Sequence, residues 1–252
     1  MVSKPRRSPG RPKDDQLPER RRQEILPFAV HHFATVGYHA ADLDQIAASI
    51  GCAKGTLYRY FPSKKELFEA SVDFVMTELI QNNETLPKLD DLVLEMCNWL
   101  HATLKFFDEH PEYVELLLQE RAAFRDRSRP SFFDYCEAHE EFWTQRMPKA
   151  IKDGIVRDMC VETIRQVGIT QIYGAIFINY FSKDTNTYEM RARQLNEVFL
   201  NGILTPEGSA RFYKDRPDLA VHKLPPVEPV IRTEPSSCCS KTPEHPDAQS
   251  ER

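Results

Sequence analysis

The sequence predicts an all-α protein: an N-terminal three-helix unit containing a helix-turn-helix, followed by a larger helical bundle. Helix-period apolar patterns recur from about residue 20 to about residue 204, and no stretch has the apolar/polar alternation between turn residues that marks a strand. Only 9 glycines occur in 252 residues, few for a protein of many tight turns. The charge is divided as well. Residues 1–65 hold twelve Lys/Arg against six Asp/Glu, and the remainder holds 21 against 32, within a formal net charge of -5. One end is suited to a polyanion and the rest repels it.

The elements follow in order. In "RRRQEILPFAVHHFATVG", Ile25, Phe28, Ala29, Phe33 and Val36 recur at helical spacing, and Gly37 is placed to end the helix. Pro27 lies inside it, so the helix is expected to kink near Gln23 or to become regular only close to Pro27. "LDQIAASIG" and "KGTLYRYF" are two short helices around Gly51. Ser63 followed by Glu66 is a capping box that starts "KKELFEASVDFVMTELIQNN". "KLDDLVLEMCNWLHATLKFFDEH" ends before Pro111, which suits the first turn of "PEYVELLLQERAAF". A helix restarts after Pro130 with a kink or break at Pro148; "CVETIRQVGITQIYGAIFINYF" and "TYEMRARQLNEVFLNGIL" complete roughly nine helices. From Pro206 onward, 8 of the 18 prolines fall in 47 residues, which predicts a disordered tail. The expected organisation is a disordered basic arm over 1–18, a helix-turn-helix domain over 19–66, a second domain over 67–205 and the tail over 206–252.

No run approaches the roughly 18 to 20 apolar residues that span a bilayer, so no membrane partner is expected and a cytoplasmic location is. The six cysteines form neither a C-x-x-C pair nor a secreted disulfide framework. His31 and His32 are adjacent and face different ways, and "HEEFW" lacks a second histidine at i+4, so no metal or cofactor is expected. With no nucleophile elbow, phosphate loop or metal-ligand spacing, an enzyme is not expected either.

From about Asp42 to Tyr60 the pattern is helix, tight turn at Gly51, short helix. Ile46, Ala47 and Ile50 pack the first of these helices, and Leu57 and Phe61 anchor the second. That leaves Lys54, Gly55, Thr56, Tyr58, Arg59 and Tyr60 facing outward as donors to phosphates and base edges. Arg6, Arg7 and Arg11 in "RRSPGRPK" can follow a narrow minor groove or the phosphates beside it.

The run "GYHAADLDQIAASIGCAKGTLYRYFPSKKELF" resembles the DNA-binding domain of the TetR family of repressors over about 45 residues, most specifically in "KGTLYRYFPSKKELF". The resemblance implies a homodimer that places two recognition helices in successive major grooves of a pseudo-palindromic operator. It also implies an all-helical C-terminal domain that dimerises and binds a small effector. By position, the resemblance makes Tyr58, Tyr60 and Lys64 correspond to phosphate contacts, and Cys52, Ala53, Lys54, Gly55 and Arg59 to the face turned toward bases or their backbone. At Ala41 the family usually has a capping Thr, so Asp42 or a neighbour must cap the second helix here.

The aromatic series of the second domain is mostly core by type, yet polar groups recur among the rings. Trp99, Phe106, Phe107, Glu120, Arg121, Phe124, Tyr135, His139, Tyr173 and Phe177 are the candidates for an effector pocket. "GITQIYGAIFINYF" is apolar nearly all round, which suits a dimer interface. The function expected is a DNA-binding transcriptional repressor released by a small apolar or amphipathic effector. The alternative is a DNA-binding protein controlled by a protein partner or by oxidation; an aromatic cavity favours the first and a cavity-free bundle the second.

Overall fold

Helix ends in this chain are marked by capping side chains, and the computed structural model places most helix starts where those side chains are. It describes residues 17–125, 131, 132, 135, 141–182 and 187–216, all within the unit Met1–Val221; the second unit, His222–Arg252, lies outside them. Helix α1 (Leu17–Val36) is followed by α2 (Leu43–Ile50), α3 (Lys54–Tyr60), α4 (Lys64–Glu84), α5 (Leu92–Glu109) and α6 (Pro111–Ala123). A π-helical turn (Phe142–Arg146) then leads into α7 (Met147–Lys152), α8 (Val161–Ser182), α9 (Tyr188–Ile203) and α10 (Pro206–Asp215). Among the described residues there is no strand, only an isolated bridge between Val156 and Leu204. No described helix is long and apolar enough to cross a membrane.

The caps explain the boundaries. Asp42 accepts the Asp44 N–H at 2.9 Å and supplies the cap that Ala41 cannot. Gly51 ends α2 at φ 73°, the left-handed conformation that a tight turn requires and glycine adopts without steric cost. Ser63 accepts the Glu66 N–H at 3.1 Å, and its hydroxyl donates to the Glu66 carboxylate at 3.2 Å. Asp91 and Thr187 cap α5 and α9 in the same way.

Three expectations need correction. Helix α1 runs from Leu17 through the solvent-exposed Pro27, so its regular part does not begin only close to that proline; the Gln23 carbonyl that loses its N–H partner lies on the wet side of the helix. Its buried face is Ile25, Leu26, Ala29, Val30 and Phe33, whereas Phe28 and Val36 are exposed. The continuous helix brings Leu26 and Val30 inward in place of those two. Finally, residues 206–215 are not part of a disordered tail. Pro206 takes the first turn of α10, where its missing N–H costs nothing; Thr205 accepts the Gly208 N–H at 2.9 Å; and Phe212 is 4% exposed. The rest of the expected tail, the basic arm, and the restart after Pro130 except Ser131, Phe132 and Tyr135 lie outside the described residues.

Two hydrophobic clusters hold the helices. The larger joins α1 to α6 with Phe132, Tyr135 and the middle of α8, so the helix-turn-helix and the bundle share one core. The smaller joins Leu92, Val93 and Cys97 of α5 to Met147, Ile164, Leu200 and Phe212. Burial there pushes the Cys97 thiol up to about 12.

Candidate DNA-binding face and effector cleft

Helix α3 is held from beneath by Leu57 and Phe61, both fully buried. With Leu57 inward, the helical period turns Lys54, Gly55, Tyr58 and Arg59 outward, and Thr56 and Tyr60 lie half-buried at the margins. Lys54 Nζ is 2.8 Å from the Asp44 carboxylate, a hydrogen bond that holds its pKa above the ordinary lysine value, and lies over the Tyr58 ring at 5.8 Å. Arg59 donates to the Tyr60 hydroxyl at 3.1 Å and lies over that ring at 5.0 Å. Arg22 of α1 reaches the Tyr60 carbonyl at 2.9 Å and covers the Phe61 ring. Lys64 is more constrained than its sequence suggests: its ammonium donates to the carbonyls of His39 at 2.9 Å and Ala41 at 3.1 Å. Arg6, Arg7 and Arg11 lie outside the described residues. The arrangement is a small exposed surface of cations, hydroxyls and one glycine on a rigid base, the chemistry that contacts phosphates and base edges.

In the bundle, a cleft of about 150 Å³ opens between α5, the π-helical turn, α8 and α9. Its walls are Met96, Trp99 and Leu100 from α5, Phe142 and Trp143 from the turn, Ile169 and Ile172 from α8, and Leu195 and Phe199 from α9. Gly168 lines it too; a Cβ there would stand 3.4 Å from the Phe199 ring, so the missing side chain leaves space. The polar groups at the lining are Glu95, Gln171 and Asn196. Arg146 bonds Glu95 at 2.6 Å and the Leu89 carbonyl at 2.7 Å. Burial alone would raise the Glu95 carboxyl, but its hydrogen bonds from Arg146 and the Leu89 N–H hold it below the ordinary carboxylate range.

The π-helical turn has a local cause. Pro148 has no N–H to offer the carbonyl four residues earlier, and the Met147 N–H bonds the Phe142 carbonyl, five residues back. The extra residue in the turn helps place Phe142 and Trp143 on the cleft and Arg146 on Glu95.

Of the ten expected pocket residues, Trp99 lines the cleft. Tyr135 stacks behind Trp99 at 6.4 Å between ring centroids, and its hydroxyl accepts from Asn83 at 2.7 Å. Phe106 and Phe107 are buried in the core, in edge contact with each other. Tyr173 packs on Phe177 and Phe132. Phe124 is spent at the junction with the helix-turn-helix, 5.0 Å from Tyr38 and 5.4 Å from Phe68. Glu120 is buried and accepts from the Ser131 N–H and hydroxyl, and Arg121 is exposed and reaches the Arg125 carbonyl. His139 lies outside the described residues. Sequence reasoning missed the α8 and α9 side of the cleft; the small Gly168 among apolar residues was the available signal.

Comparison with known proteins finds these similarities. Residues 25–71 match the family described as "Bacterial regulatory proteins, tetR family". An HTH-type transcriptional repressor of Streptomyces coelicolor is 29% identical over 147 residues, 58% of this chain and 71% of that protein. The nucleoid occlusion factor SlmA of Photorhabdus laumondii is 29% identical over 99 residues, 38% of this chain and only half of that protein. A TetR transcription regulator from Haloarcula marismortui has the same fold, with a TM-score of 0.63 at 21% identity, covering 74% of this chain and all of that one.

Proposed function

We propose that this chain, which belongs to the TetR family of bacterial regulatory proteins, is a cytoplasmic transcriptional repressor that binds a pseudo-palindromic operator as a homodimer and releases it when a small apolar molecule enters the aromatic cleft. The observation that carries the DNA-binding part is α3: Leu57 is buried beneath it while Lys54, Tyr58 and Arg59 stand exposed above. In this reading Arg59, Lys54, Gly55 and Thr56 meet the bases or the backbone close to them. Tyr58, Tyr60 and Lys64 meet phosphates, and the arm bearing Arg6, Arg7 and Arg11 adds counterion release. In the same reading the DNA-binding domain spans residues 19–66, and the bundle that follows from 67 extends through α10.

The dimer is supported by α8 and α9. Ile178 and Phe181 of α8 are 67% and 64% exposed, and Val198 of α9 is 67% exposed, a set of apolar side chains that a second copy would cover. The effector reading is supported by the cleft: its walls are aromatic and aliphatic, and its few polar groups can orient a ligand without demanding that it be charged. Such a ligand acts only by favouring one spacing of the two recognition helices over another.

Capture of genomic fragments by the purified protein tests the first part: retained DNA should carry an inverted repeat with half-site centres about 10 base pairs apart or a multiple of that. Retention no better than for random DNA would refute the reading. For the cleft, the chain offers its own reporter, because both of its two tryptophans, Trp99 and Trp143, line it. A small aromatic compound that releases the operator should change tryptophan fluorescence with the same concentration dependence. Release without any fluorescence change would place the effector elsewhere.

A further inference from the structure

We propose that Gln119 of α6 is a positioning residue for operator binding: its side-chain amide pins the end of α1, and Glu115 and Tyr180 tie that pin to the dimer-forming helix α8. The inference rests on the DNA-binding homodimer proposed above.

The starting point is how α1 ends. Gly37, at φ 86°, turns the chain out of the helix, and its N–H closes a single bond on the Phe33 carbonyl at 2.9 Å. An ending of this kind leaves the next N–H, that of Tyr38, with no carbonyl of its own helix to bond. Gln119 supplies the missing acceptor. Its Oε1 accepts the Tyr38 N–H at 2.9 Å, and its Nε2 donates to the Phe33 carbonyl, also at 2.9 Å. Two bonds from one planar amide to two backbone groups fix direction as well as distance.

The amide is itself held. Nε2 also donates to Glu115 Oε1 at 3.1 Å, one turn back along α6, and Glu115 Oε2 accepts the Tyr180 hydroxyl of α8 at 2.7 Å. Tyr180 lies between Ile178 and Phe181, two of the exposed side chains assigned to the dimer face. On the other side, the Tyr38 ring packs 5.0 Å from Phe68, with Lys64 over it at 5.1 Å, and Lys64 bonds the His39 and Ala41 carbonyls that lead into α2. A continuous set of contacts therefore runs from the subunit face to the helix-turn-helix. The bonds made by Gln119 and by Tyr180 are partly buried, so water competes for them less than at an open surface.

This matters because two half-sites demand a set separation. A rigid dimer presents its second recognition helix to the second half-site at high effective concentration, and a swinging one loses that advantage while tolerating other spacings.

The test uses the full chain and an operator obtained by the genomic capture above. Binding is measured for Gln119→Met and Tyr180→Phe to three DNAs: the operator, the operator with one base pair inserted between half-sites, and a single half-site. Gln119→Met, similar in volume, should weaken operator binding by roughly tenfold through lost effective concentration. It should narrow the gap between the operator and the inserted DNA and leave the single half-site unchanged. Tyr180→Phe should shift the same ratio by less, and the double variant should be no worse than Gln119→Met because the groups act in series. Equal losses on operator and single half-site, or an unchanged ratio in a folded dimer, would overturn the proposal. If Gln119→Met does not fold, Tyr180→Phe decides alone, since it leaves the backbone clamp in place. A parent protein that retains no inverted repeat refutes the underlying function instead, and the positioning role falls with it.

Discussion

Asp44 is a carboxylate beside the face of α3 proposed to meet DNA, and its replacement gives the sharpest electrostatic prediction. Lys54 Nζ lies 2.8 Å from it, and both side chains are about half exposed, 55% and 52%. In the free protein Lys54 is thus already neutralised by an internal partner, and a phosphate must compete for it. Asp44→Asn removes the competitor but keeps the backbone N–H that Asp42 caps. Exposed pairs of this kind contribute at most about 1 kcal/mol to folding, and losing a charge from the first turn of α2 costs about 0.3–1 kcal/mol, so the fold should survive. The effect on DNA is larger because it is doubled in a dimer. One additional neutralised phosphate per subunit steepens the log–log salt slope by about 0.9 each, about 1.8 in all; between about 50 and about 200 mM salt, the ratio of variant to parent affinity should therefore change by about tenfold. Titration of operator and random DNA by fluorescence anisotropy at four salt concentrations measures this. Parallel salt lines for variant and parent would refute the reasoning, and a gain confined to the operator would mean that Lys54 meets bases rather than the backbone close to them.

Four further outcomes are expected. Arg59→Ala should cost about 1–3 kcal/mol of specific binding per lost base contact and lower the operator-to-random ratio, whereas Tyr58→Phe should weaken both DNAs alike; the same titrations separate them. Ile178→Glu puts a charge on the exposed apolar face of α8 and should yield a monomer in sedimentation at micromolar concentration while helical content is kept. Gly208→Ala would drive a Cβ into the Ile155 carbonyl, so α10 should detach and the thermal midpoint fall, whereas Gly174→Ala, inside α8 with open space at its Cβ, should raise the midpoint slightly. At pH 8, iodoacetamide should modify Cys160 and leave Cys97 intact until unfolding. Cys160 is exposed, and its pKa is lowered by hydrogen bonds from the Thr163 and Glu162 N–H groups, whereas burial pushes Cys97 up to about 12; peptide mass spectrometry distinguishes them.

Which residues α3 exposes was readable because the determinants are local. Asp42, Gly51 and Ser63 each act on the few residues beside them, and the inward position of Leu57 follows from helical period alone. What sequence could not reveal at the same site is how its side chains are engaged. That Lys54 is paired with Asp44 depends on how α3 meets α2, and that Lys64 bonds two loop carbonyls on how α4 meets the loop before α2, at separations of 10 to 25 residues. α10 was missed for a compositional reason: the prolines beyond it outweighed Thr205, Pro206 and Phe212, which together begin and bury one short helix.

The cleft is the opposite case. An aromatic in a buried helix reads the same whether it fills the core or lines a space, and only the three-dimensional partner decides between them. Trp99 and Phe106 both belong to α5, yet Trp99 faces the gap left by Gly168 while Phe106 meets Phe107, His110 and Tyr113. The outer wall depends on Pro148, whose missing N–H goes with the five-residue step that brings Phe142 and Trp143 to the gap. A proline that sequence reads as a break thus serves as a device for placing side chains. Pro148→Ala restores the missing donor and lets the turn relax toward an ordinary α-helix, which would rotate the two aromatics relative to Arg146, itself fixed on Glu95 and the Leu89 carbonyl. Those two bonds resist the rotation, so Pro148→Ala should change the fluorescence of Trp143, and an unchanged spectrum would refute the coupling of the turn to Arg146.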